Sequence, residues 1–77
     1  MIPAQEMATR KVSNLLAYVA KLDAEIRWHQ EHPGKTASAK RAGKQSLALL
    51  RDARARVVTI IRDTETRHGL EHWSGLP

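Results

Sequence analysis

Apolar residues recur along the first third of the chain at alternating spacings of four and three: Ala8, Val12, Leu15, Val19, Leu22 and Ile26, with His29 closing the row. Leu16 widens this stripe on one side and Tyr18 on the other. A stripe of that period is one face of an amphipathic helix with a coiled-coil-like seam, predicted over about 4–32. Pro3 suits its first turn. His32-Pro33-Gly34 then breaks the pattern, because proline disfavours the α region for the residue before it and glycine takes turn conformations readily. The turn is placed at 33–36, with Thr36 or Ser38 capping a second helix.

The second helix, about 37–68, carries a broader apolar arc. At 100° per residue Ala42, Leu49, Ala53, Val57 and Ile60 mark one part of it, and Leu47, Leu50, Val58 and Ile61 extend it to about half the circumference. One partner helix covers less than that. The excess predicts that two hairpins associate into a four-helix bundle. Gly43 falls mid-helix at a cost of about 1 kcal/mol against alanine, which close helix approach or simple tolerance explains. Gly69 ends the helix, and 69–77 forms a short tail. The chain reads as free of internal repeats and low-complexity tracts. The fold class is all-α: a single antiparallel hairpin domain spanning 1–77, dimerising into a bundle.

Seventy-seven residues make one small domain whose core is marginal without a staple or a partner. The chain has no cysteine, which removes disulfides and thiolate metal sites and favours a reducing, cytoplasmic location. The longest apolar run, Leu15 to Ala20, is too short to span a membrane, and Lys21 and Asp23 follow it too soon for a signal peptide. No membrane partner is expected.

Charge is unevenly shared. Residues 4–32 carry no net charge, whereas 35–68 hold nine Lys and Arg against three acids, accounting for the overall basic balance of +5. Lys40, Lys44, Arg51 and Arg62 project within a narrow sector of the second helix, flanked by Arg54. That stripe runs about 33 Å, near one turn of duplex, and is the candidate phosphate-contacting surface if DNA or RNA is the partner. The competing reading is a solvated border of the core, with arginine stems covering apolar surface.

The remaining candidates are aromatic and imidazole groups. Trp28 lies well off the apolar arc and Trp73 lies in the tail; both are candidate partner-binding residues, since exposed tryptophan commonly marks a contact. A single hairpin holds them at opposite ends, and two hairpins packed head-to-tail bring them together. His29/His32 and His68/His72 have spacings suited to a shared helical face, and Glu65 precedes His68 by three. The further carboxylates a di-metal bundle needs are missing, so no metal or cofactor is assigned. Ser13, Ser38, Ser46 and Ser74 lack a nucleophile context, and the acids sit nearly all on polar faces. The chain is therefore expected to be no enzyme. The leading expectation is a small homodimeric interaction module, regulatory or adaptor in role, that engages another protein. The alternative is a nucleic-acid-binding protein using the basic stripe. Small size and economy resemble those of phage and plasmid accessory proteins.

Overall fold

The structure, a computed structural model, describes residues 3–76. Two helices, α1 (Ala4–Glu31) and α2 (Ala37–Arg67), pack against each other as an antiparallel hairpin. Pro3 stands just outside α1 in extended backbone, and its carbonyl accepts the Met7 N–H at 3.1 Å. Pro33 forces His32 out of helical geometry, which ends α1 there. Of the two candidate caps for α2, Thr36 takes the role: its hydroxyl accepts the Ala39 N–H at 3.0 Å.

Gly34 is required by close approach. A side-chain carbon there would stand 2.6 Å from the backbone carbon of Ala39 and 2.9 Å from the Lys40 nitrogen, neither of which yields easily. The turn is thereby clamped onto the first turn of α2. Gly69 works differently. Its φ of 65° allows the left-handed step that closes α2, with Leu70 N–H donating to the Glu65 carbonyl at 2.7 Å and Gly69 N–H to that of Thr66.

The core is thin. Among the described residues Ala8, Val12, Val19, Leu22, Val57 and Ile61 are the buried apolar side chains, and only Val12 and Ile61 among the larger ones are fully enclosed. Leu15, Leu16, Leu50, Ala53, Val58 and Leu76 pack around them half-covered. The hairpin is also long, with extents of 55 × 19 × 15 Å and a radius of gyration of 16.0 Å, where a compact chain of this length has about 11.5 Å. Its accessible surface is 5888 Å², against about 4700 Å² for a compact monomer of 8.7 kDa. No helix among the described residues is long and apolar enough to cross a membrane.

Candidate functional site

The two flanks of the hairpin differ. On one, Arg54 Nε of α2 donates to Asp23 Oδ1 of α1 at 2.6 Å, an ion pair that closes the seam. On the other, Met7 and Lys11 of α1 line a common depression with Asp63 and Arg67 of α2. This second flank is the apolar one. Ile60 precedes Asp63 by one helical turn and is exposed, and Leu49, in line with it, is the most exposed large apolar side chain at 72%. Met7 and Tyr18 are exposed along the facing edge of α1. Within each pair the members stand eleven residues apart, which is three helical turns and about 20°, so each pair shares a line along its helix.

The eleven-residue spacing recurs in residue type along α2, a similarity that the apolar pattern alone does not reveal. Leu47-Ala48-Leu49-Leu50-Arg51-Asp52-Ala53 has its counterpart eleven residues on in Val58-Thr59-Ile60-Ile61-Arg62-Asp63-Thr64, and Arg56 matches Arg67. Each unit presents an exposed aliphatic residue, an aspartate and an arginine along the same flank. The acid and base pair within each unit, Arg56 to Asp52 at 3.0 Å and Arg67 to Asp63 at 3.2 Å. Conservative exchanges hide the repeat: Ile for Leu, Val for Leu and Thr for Ala. The arginines and aspartates in register are the signal that finds it.

The units diverge where Arg54 of the first meets Glu65 of the second, and there each residue secures a different element. Arg54 holds α1. Glu65 is an exception among acids that sit nearly all on polar faces: it is 3% exposed. Its carboxylate accepts the Ser74 backbone N–H at 2.8 Å and the Ser74 hydroxyl at 3.2 Å, while Leu76 packs against the core. Sequence periodicity missed this because the tail that covers Glu65 is not part of the helical pattern. The tail folds back by Ser74 and Leu76, and Trp73 remains half-exposed. Replacing Glu65 with glutamine weakens charge-assisted bonds in a buried place. Expected is a stability loss of about 1–3 kcal/mol with faster hydrogen exchange at Ser74; an unchanged melting temperature and unchanged exchange would contradict the latch.

The predicted site residues are thus dispersed. Trp28 lies near the turn, its indole stacked on the His32 ring at a 4.5 Å centroid distance and 16° and meeting His29 edge-on. Trp73 lies at the far end, so one hairpin does not bring the two together. Lys40 and Lys44 share a surface with Arg41 at the start of α2. Arg51 is exposed mid-helix, Arg54 is tied to Asp23, and Arg62 lies beside the tail, bordering one recess with Glu65, Glu71 and His72. The basic residues are therefore not one uniform row. Among the described residues no three His, Asp or Glu side chains gather to hold a metal ion. No protein-family model matches the chain, and no curated protein or solved structure matches it significantly.

Proposed function

We propose that the protein is a non-enzymatic helical interaction module, regulatory or adaptor in role, that works as a homodimer. The observation that carries this reading is the repeated apolar flank. Leu49 and Ile60 stand about 16 Å apart on one line of α2. An antiparallel twofold midway between them sets Leu49 of each subunit against Ile60 of the other, with the small Ala53 near the crossing. The same register brings Arg56 beside Asp52 of the partner. The rim holds two acids and two arginines, so it is self-complementary and does not select a strongly charged stranger. A flank 55 Å long and 15 Å deep has a silhouette of about 800 Å², an upper limit that reaches the ordinary size of a stable interface only if the subunits align along its full length.

The head-to-tail arrangement sets Trp28 of one subunit at the end that carries Trp73 of the other, giving each end of the bundle two half-exposed tryptophans for a protein partner. The register is directly testable, because the chain has no cysteine of its own. Under mild oxidation, mixed Leu49→Cys and Ile60→Cys chains are expected to form the mixed disulfide in preference to either self-disulfide. No cross-link, or self-disulfides dominating, would contradict the antiparallel register.

A further inference from the structure

The net charge of the chain is gathered at one place. Between Glu31 and Asp52 there is no acid, while Lys35, Lys40, Arg41, Lys44 and Arg51 all fall there. Ion pairs of Arg10, Arg54, Arg56 and Arg67 all lie outside that stretch. The turn and the first turns of α2 therefore present cations without a neutralising carboxylate in the same stretch.

Three further features meet there. His29 of α1, Gly34 of the turn, and Lys40, Gly43 and Lys44 of α2 line a recess of about 220 Å³. Gly43 has no packing reason to be glycine: a side-chain carbon there would meet nothing within 4 Å. Close helix approach is thereby removed as its explanation, yet its helix cost of about 1 kcal/mol stands. Gly43 lines that recess together with Lys40 and Lys44 without filling it. At the same end of the hairpin, but off the apolar stripe of α1, Trp28 is 55% exposed with the His32 ring stacked on it. That ring is fixed in turn, since the Trp28 carbonyl accepts both the His32 backbone N–H at 2.9 Å and, at 2.8 Å, His32 Nδ1. A carbonyl only accepts, so Nδ1 carries the proton.

We infer that the turn end of the hairpin binds single-stranded nucleic acid, with phosphates on Lys35, Lys40, Arg41 and Lys44 and a base against the Trp28 indole. Cations and an exposed aromatic ring, here at the same end of the hairpin, are the two parts that sequence-tolerant single-strand binding needs. A duplex would need the row of cations along α2, whose far member Arg62 borders a recess with Glu65 and Glu71. An anionic membrane is disfavoured because residues 33–41 offer no large apolar side chain to insert beside the tryptophan.

The test uses the full chain carrying Trp73→Phe, so that Trp28 is the sole indole. A short oligothymidylate is expected to quench its fluorescence at low salt. Affinity should fall with a log–log salt slope near about −3, the value for four single-strand phosphate contacts. Trp28→Ala should weaken binding about 5- to 150-fold, the ordinary worth of one stacked base. Lys40→Glu with Lys44→Glu should abolish it, and Gly43→Leu should weaken it while circular dichroism stays helical. Arg10→Glu, at the far end, should leave it unchanged. Absence of binding at low salt, Trp28→Ala binding as tightly as the parent, or stronger binding of polyglutamate or anionic-lipid vesicles would each overturn the proposal. It stands apart from dimerisation: Leu49→Asp changes the sedimenting mass and is expected to leave the affinity for a short oligonucleotide unchanged.

Discussion

Replacing Ile61 with aspartate is expected to abolish the helical circular dichroism at room temperature. Ile61 is one of two large side chains fully enclosed in the core, where it packs with Val12, Val19, Leu22 and Val57. A carboxylate there has no water and no cation, and its burial costs several kcal/mol even after the surroundings relax. The lost aliphatic contact adds about 2–4 kcal/mol. Small domains hold a total stability of only about 5–15 kcal/mol, and six buried apolar residues place this chain at the low end. Val57→Asp should act the same way, and half-buried Leu50→Asp somewhat less. Lys21→Asp and Arg41→Asp, both on exposed positions, are expected to stay within about 0.5 kcal/mol of the parent in thermal melts. Equal losses at core and surface positions would contradict the packing described.

Leu49→Asp and Ile60→Asp together should have the opposite signature: subunits separate while helices persist. Both side chains are exposed on the single hairpin, so a charge there is hydrated and costs the monomer little. In the proposed bundle each is covered by its counterpart, and the twofold makes every substitution count twice. Burying such an aliphatic side chain contributes about 1.5–3 kcal/mol, so the dimer dissociation constant should rise by at least about 100-fold. The melting temperature should fall and lose its dependence on protein concentration. A double variant that sediments like the parent would show that this flank is not the interface.

The helical hairpin was legible because its determinants are local. The four–three spacing from Ala8 to His29 sets one face of α1, and His32-Pro33-Gly34 and Gly69 stop the helices for reasons of backbone sterics alone. Trp28 standing off the apolar arc was legible in the same way, and it is exposed. What escaped the sequence depends on contacts between distant residues. Nothing near Glu65 in sequence announces that Ser74 returns to cover it, and helical spacing does not say that Arg54, at the flank of the basic row, pairs with Asp23. Gly43 carried a local penalty readable from the chain, but only the empty space around it separates a role in helix packing from an open recess. The eleven-residue repeat was legible in principle. Its two units are contiguous, and matching Arg51-Asp52 with Arg62-Asp63 suffices to find it.

The self-association at the centre of this account is tested most directly by sedimentation equilibrium of the unmodified chain at micromolar concentration. The expected result is a single species of twice the chain mass, its helicity by circular dichroism matching two long helices per subunit. A stable, fully helical species at the mass of one chain would contradict it, because the flank bearing Leu49, Ile60, Met7 and Tyr18 would then be only a solvated side of a monomer.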